Sequence, residues 1–266
     1  MLYLVSTPIG NLKDITYRAI EVLNQVDMIA CEDTRHSMIL LNHYSIKKPL
    51  FSYHKFNLKQ SGEKIIEYLK EGKNIAVISD AGTPGISDPG QDIVNLCIKN
   101  NQPYTFIPGA NAATSALVMS GFDSSLFTFC GFVPENNLDR KIFFDKIKNV
   151  RTSLIFYCAP HKLNKDLENI NKNLGLRSCA LVKEISKIHE SVHITKTDEV
   201  IAEPKGEYVV VVEGAKKSNP LNELEIFEHV NFYTDQGYSK MDAIKAAARD
   251  RDLSKNTVYK KILDES

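Results

Sequence analysis

Apolar residues in the first half of the chain come in short runs, separated by stretches whose apolar positions recur with helical spacing. Residues 2–5, 28–31, 75–78 and 104–107 are continuous or nearly continuous apolar segments of strand length, bounded by polar or turn-forming residues. Between them, 15–26 places Ile15, Ala19, Val22 and Leu23 on one helical face. A helical pattern runs from residue 31 to about Leu41, and Ile65 to Leu69 belong to a helix ending near Gly72. After residue 90 the helical pattern resumes with Ile93, Val94, Leu96 and Cys97. Strand and helix in alternation predict a mostly parallel sheet.

Near residue 122 the pattern changes. Segments 126–133 and 153–158 read as strands around a charged helix, 138–148. Segments 179–182, 191–195 and 208–212 are closely spaced and rich in β-branched residues. They predict a second sheet, mixed or antiparallel, with the boundary between the halves at 115–125. Residues 216–220 (Lys-Lys-Ser-Asn-Pro) read as a linker, and the chain beyond Leu221 reads as helical. Ser239 and Ser254 are placed as caps of two short helices joined by 250–253, a helix-turn-helix-like pattern that also serves as an ordinary packing unit. The expected division is 1–120, 121–215 and a helical tail, 221–266.

Two loops stand out. Strand 75–78 empties into Ser79-Asp80-Ala81-Gly82-Thr83-Pro84-Gly85-Ile86-Ser87-Asp88-Pro89-Gly90, and strand 104–107 into Pro108-Gly109-Ala110-Asn111-Ala112-Ala113-Thr114. A third loop, Ser6 to Leu12, comes after the first strand. Glycines allow close backbone approach, and loops at the carboxyl ends of parallel strands are where open α/β sheets bind ligands. None is GxGxxG, GxxxxGK[ST] is absent, and no loop carries the Lys or Arg that a triphosphate needs. The expected ligand is nucleoside-like and not strongly anionic.

Length, 266 residues, suffices for a large core, and 33 basic residues balance 33 acidic ones, so no global field draws in a polyanion. Charge is local instead. No acidic residue occurs from 34 to 62, where Lys47, Lys48, Lys55 and Lys59 gather with His36, His43, His54 and the aromatics Tyr44, Phe51, Tyr53 and Phe56. Cations beside aromatic faces are what an RNA surface needs; the plainer reading is a solvated edge whose aromatics belong to the core. The five cysteines are scattered without CxxC, as expected for reduced core thiols. His189-Glu190-Ser191-Val192-His193 matches HExxH, but its flanks favour a strand, so no metal is expected there. No targeting signal or run of membrane-spanning length is read, and a soluble cytoplasmic protein is expected.

Two clusters of acids and cations sit at strand ends. Glu32-Asp33-Thr34-Arg35 ends the second strand, where Asp33 or Thr34 would cap a helix and Arg35 would pair with Asp33 or hold a phosphate. Lys183-Glu184 ends the strand at 180–182, with Lys187 nearby; it either reaches water or faces a substrate.

TPIGNL at 7–12, EDTR at 32–35, SDAGTPGISDPG at 79–90, PGANAATSAL at 108–117, GFVP at 131–134 and KEISKIHE at 183–190 occur in that order. Together they resemble the bacterial 16S rRNA cytidine 2′-O-methyltransferases of the tetrapyrrole methylase superfamily, over essentially the whole chain. The resemblance implies two α/β domains with S-adenosylmethionine in the cleft between them, a small helical C-terminal extension and a homodimer. It implies methylation of a ribose 2′-hydroxyl of a decoding-centre cytidine in the small subunit's RNA. By motif, it places Pro8, Ile9, Gly10, Gly82, Thr83, Ile86, Ser87, Pro108, Gly109, Ala112 and Ala113 at the cofactor. Gly82-Thr83-Pro84 departs from the Gly-Asp-Pro of the tetrapyrrole enzymes, which argues against a tetrapyrrole substrate. On this reading Asp33 or Glu184, and after them Glu32, is the proton acceptor, with Arg35 and Lys183 orienting the substrate. Arg35, Lys47, Lys48, Lys55 and Lys59 are the expected RNA contacts. The alternatives are a small-molecule methyltransferase and a non-catalytic nucleic-acid binder using its C-terminal helices.

Overall fold

The computed structural model describes residues 1–216, 220–251 and 253–264, so much of the expected linker, at 217–219, lies outside the described residues. Contacts divide the chain into Met1–Gly214 and Ala215–Ser266.

The first unit begins with β1 (Leu2–Val5), α1 (Tyr17–Gln25), β2 (Met28–Cys31), α2 (Thr34–His43), β3 (Leu50–Ser52), α3 (Leu58–Lys70), β4 (Ile75–Ile78), α4 (Gln91–Lys99), β5 (Tyr104–Ile107) and α5 (Ala112–Ser120). The five strands form a wholly parallel sheet in the order β3-β2-β4-β1-β5. Strand side chains alternate between faces. Val5, Ile29, Ala76 and Ile78 pack on the α1–α2 side, while Leu2, Leu4, Ile75 and Val77 pack on the α3–α4 side. Burial on both faces is why the inner strands β1, β2 and β4 are apolar throughout.

The second sheet comprises β6 (Phe127–Phe132), β7 (Ser153–Cys158), β8 (Ser178–Lys183), β9 (Ser191–Lys196) and β10 (Tyr208–Val212), with α6 (Asn137–Ile147) and α7 (Leu163–Leu174) between strands. Its order is β6-β7-β10-β8-β9, and it is mixed: β6 and β7 are parallel, the other pairs antiparallel. α6 and α7 cover one face; Ala113, Ala116 and Leu117 of α5 cover Ile155, Val182 and Val209 on the other. The packing boundary therefore precedes α5, at the loop 108–111, although the change in sequence pattern comes at 115–125. Both sheets belong to one compact unit.

The second unit holds α8 (Ile226–Asp235), α9 (Lys240–Asp250) and α10 (Lys255–Asp264) around Ile226, Val230, Ile244, Ala247, Val258 and Ile262. Ser239 caps α9 by accepting from the Asp242 amide, and Ser254 accepts from the Thr257 amide at the start of α10, both at the expected positions. A buried polar network adds to this core. The Arg251 guanidinium donates to His229 Nδ1 at 2.9 Å, and Asp250 accepts from the Tyr233 hydroxyl and lies 3.4 Å from His229 Nε2. No helix among the described residues is long and apolar enough to cross a membrane. The five cysteines are free.

Candidate functional site

The loops that end β1, β2, β4 and β5 meet at the carboxyl edge of the parallel sheet. Strand directions in the second sheet bring the ends of β6, β7 and β8 and the start of β10 to the same place. Between them lies a cavity of about 470 Å³, within the range of small-molecule and cofactor sites.

Hydrogen bonds knit the loops together. Thr7 and Gly82 exchange backbone bonds at 2.9 and 3.1 Å, with Gly82 at φ +80°, a conformation that favours glycine. The Thr83 hydroxyl donates to the Ala110 carbonyl at 3.2 Å, lies 3.4 Å from Ser6 Oγ, and accepts from Asn111 Nδ2 at 3.5 Å. One side chain thus touches all three loops. Asn111 also caps α5 through the Thr114 amide. Gly10 is clasped differently: a Cβ there would collide with Lys187 Cγ, so glycine lets Lys187 cross the first loop.

Ile9, Ile86, Ala112 and Val182 supply apolar wall, and Phe132 and Tyr157 an aromatic one with their rings 5.6 Å apart. Glu32, Asp80 and Asp88 supply carboxylates. Burial, then the charges of Glu32 and Asp80, push Asp88 up to about 6. Burial, then Asp80, also raises Glu32, against the opposing pull of Lys55 and His54. Ser87, at the same wall, holds φ +68°.

Of the residues expected at a cofactor, Ile9, Gly82, Thr83, Ile86, Ser87 and Ala112 line this cavity. Pro8 and Gly10 line a smaller one of about 220 Å³ on the other side of Asp80. Pro108, Gly109 and Ala113 line neither; Gly109 packs on Ser6, and Ala113 is buried against the second sheet.

Of the residues expected to act chemically, Glu32 lines the cavity. Asp33 instead caps α2: its carboxylate accepts from the Arg35 amide at 2.8 Å and pairs with the Arg35 guanidinium at 3.2 Å, which holds it below the usual carboxylate range. Arg35 is exposed. Glu184 sits at φ +52° and accepts from the Glu207 amide at 2.8 Å and from Lys187 at 3.0 Å. Burial opposes its ionisation, but these bonds outweigh it and keep the carboxyl low. Lys183 Nζ lies 6.0 Å from the centre of the Tyr208 ring, a cavity residue.

The basic segment divides. Tyr53 is buried, Phe51 packs into the core, and the Tyr44 hydroxyl donates to the Leu12 carbonyl at 2.6 Å, so these aromatics belong to the fold and not to an RNA surface. Lys47, Lys55, Lys59 and Phe56 are exposed. His193 lies on β9, a strand, and the described residues hold no group of His, Cys, Asp and Glu able to bind a metal ion.

Sequence reasoning alone misses Asp80, Asp88, Phe132, Tyr157 and Tyr208 as site residues. Asp80 and Asp88 bracket the glycine-rich loop and Phe132 lies in GFVP, so the motifs point at their positions. Tyr157 and Tyr208 are cavity residues only through the alignment of β7 and β10.

The sequence profile of the family Tetrapyrrole (Corrin/Porphyrin) Methylases matches residues 1–201. The chain belongs to this family. It is 43% identical to "Ribosomal RNA small subunit methyltransferase I" of Bacillus subtilis, over 97% of this chain and 92% of that one. It is 37% identical to the protein of the same name from Synechocystis, over 99% of this chain and 98% of that one. Among solved structures it is similar to a diphthine synthase, with TM-score 0.63 and 15% identity over 80% of this chain and 89% of that one. It is also similar to the methyltransferase CobJ, with TM-score 0.61 and 15% identity over 82% and 97%. The expected fold is thus the observed one, and the family makes the chain an S-adenosylmethionine-dependent methyltransferase.

The cavity fits that cofactor. Its apolar walls suit a nucleoside, and its four acidic residues, Glu32, Asp80, Asp88 and Glu207, suit a ligand that carries a sulfonium and an ammonium.

Proposed function

We propose that this methyltransferase modifies the ribose 2′-oxygen of a decoding-centre cytidine in 16S rRNA, within the small ribosomal subunit and in the cytoplasm. The observation that carries the reading is the cofactor-sized cavity, whose Glu32 lies within electrostatic reach of Lys55 and His54 of the acid-free segment 34–62. Tyr53 donates its amide to the Cys31 carbonyl at 2.8 Å, which sets the basic residues after it beside Glu32 of the cavity. The near-full-length likeness to proteins named ribosomal RNA small subunit methyltransferases supports it.

When bound, S-adenosylmethionine supplies an electrophilic methyl group on a sulfonium. Ile9, Gly82, Thr83, Ile86, Ser87 and Ala112 would hold it, with Pro8, Gly10, Pro108, Gly109 and Ala113 shaping the loops around them. Glu32, rather than Asp33 or Glu184, accepts the proton of the ribose hydroxyl, because its carboxyl faces the cavity and burial raises its basicity. Asp33 acts by fixing the start of α2 and the direction of Arg35, which holds a backbone phosphate outside the cavity. Glu184 acts by holding Lys187 across Gly10, and Lys183 stays beside Tyr208. Lys47, Lys48, Lys55 and Lys59 carry the flanking RNA. Alignment in a largely apolar site supplies most of the acceleration, worth about 7–11 kcal/mol in well-oriented systems.

The active species is a homodimer. Large apolar side chains stay exposed on edge strand β5 (Tyr104, Phe106), on α5 (Val118) and at edge strand β6 (Leu126, Phe127), which supports self-association.

The test is incubation with labelled S-adenosylmethionine and small subunits lacking the modification, then nuclease digestion and mass spectrometry. Label on a ribose 2′-oxygen of a decoding-centre cytidine is the expected result. Cofactor binding without transfer to the subunits would overturn the reading.

A further inference from the structure

The segment between β3 and α3 leaves one large aromatic side chain without a place in the fold. Phe56 is 84% exposed, whereas Tyr53, three residues earlier, is 1% exposed. The loop that carries Phe56 is nonetheless fixed. Asn57 Oδ1 accepts from the His54 amide at 2.9 Å, Asn57 Nδ2 donates to the Ser52 carbonyl at 3.1 Å, and the Asn57 amide donates to the His54 carbonyl at 2.9 Å. Ser61, in the first turn of α3, ties the same Ser52 carbonyl at 3.0 Å. Phe56 is therefore held out by a tied turn.

Cations gather around it. Lys55 Nζ lies 5.0 Å from the centre of the Phe56 ring, and the His54 ring meets it edge-on at 6.0 Å. Lys59 is exposed in the first turn of α3, and no carboxylate occurs in the sequence from 34 to 62. The position is set by the sheet: Ser52 is in register with Cys31, so the turn leaves the edge beside Glu32 of the cavity. An apolar protein partner would gain little from a single ring among cations. An unpaired nucleotide gains twice, a π-face for its base and cations for its phosphates.

We infer that Phe56 is a stacking platform for an unpaired base of the substrate RNA, with Lys55 and Lys59 on the adjoining phosphates, so that the turn 53–57 positions the strand that enters the cavity. This rests on the RNA-methylating reading above and adds to it the residue that grips the substrate. Phe56 is a positioning residue and touches no reacting atom.

The full-length protein, Phe56→Ala, Phe56→Leu and Phe56→Trp are compared by anisotropy on a labelled single-stranded cytidine-containing RNA at low and high salt, and by KM and kcat on unmodified small subunits. Base–aromatic stacking predicts that Phe56→Ala weakens RNA binding roughly 5- to 150-fold. KM rises with it, cofactor affinity stays unchanged, and the ratio to wild type persists at high salt, where the lysines are screened. Phe56→Trp restores binding and Phe56→Leu does not. Wild-type KM in Phe56→Ala, or full rescue by Phe56→Leu, overturns the platform while wild-type activity leaves the RNA reading standing. A wild-type protein that neither binds RNA nor methylates subunits overturns both.

Discussion

The Thr83 hydroxyl donates to the Ala110 carbonyl at 3.2 Å, joining the loop after β4 to the loop after β5. Thr83 also lies within reach of Ser6 and Asn111, so its side chain helps three cofactor-side loops keep their spacing. Thr83→Val keeps the shape and removes the donor. The loss should cost about 1 kcal/mol of stability, read by urea denaturation, and weaken S-adenosylmethionine binding in calorimetry. Unchanged cofactor affinity would show that the loops hold their spacing without this bond.

Asp88 has a folded-state value of about 6 against an ordinary 3.8. A carboxyl raised in this way holds its proton longer in the folded state than in the unfolded chain, so stability falls as pH rises through that window and stays lower above it. Asp88→Asn should stabilise the protein by roughly 1–2 kcal/mol at pH 8, after discounting for solvent screening, and by nothing at pH 3. Urea midpoints at the two pH values check this.

Because a cationic ligand favours ionised carboxylates, cofactor affinity should fall as pH drops through 6 in the wild type and change much less in Asp88→Asn. Equilibrium dialysis across pH 5 to 8 measures it. A flat wild-type profile would mean that the cofactor's charge lies away from Asp88.

Glu32→Gln should lower kcat about 10²- to 10⁴-fold with cofactor affinity within a few-fold of wild type. Asp33→Asn and Glu184→Gln should retain far more turnover, since one caps a helix and the other anchors Lys187. The reverse ranking in single-turnover assays would move the proton acceptor to the second strand's helix cap or to the Lys183–Glu184 strand end.

Replacing Lys47, Lys48, Lys55 and Lys59 together by Gln should weaken RNA binding and flatten the log–log salt dependence by about 3, at roughly 0.7 per phosphate contact for a single strand. Affinity titrations at several salt concentrations give that slope. An unchanged slope would take the RNA away from this segment.

The parallel sheet is legible in the sequence because Leu2–Val5 and Ile75–Ile78 are buried on both faces, and such strands show as uninterrupted apolar runs. β3 is not: three residues long, with Phe51 half-buried, it looks in sequence like part of a basic aromatic surface. Tyr53 and Phe51 go to the core because the sheet edge they extend must be covered, and Phe56 alone escapes. α5 looks in sequence like the end of a loop because its small residues carry almost no amphipathic pattern; it lies against a sheet along much of its length. The site's loops are legible from glycine and proline, whereas the choice among acids is not. Glu32 and Asp33 are neighbours in sequence, and only the start of α2 decides that one turns into the cavity and the other caps the helix.

The strand order of the first sheet has a bearing on how this chain is made. β1 is synthesised before the other strands of its sheet, yet its two neighbours are β4 and β5, which begin at residues 75 and 104. A nascent chain must carry Leu2, Leu4 and Val5 unpaired until about seventy residues more have emerged, and with one edge open until about a hundred have. The loop after β1 gains its Gly82 partner only once β4 has been laid down. Pairing at such sequence separation folds slowly and leaves strand edges open to association in the interval, so mistakes in biogenesis should concentrate at the amino terminus, in the strand that ends beside the cofactor.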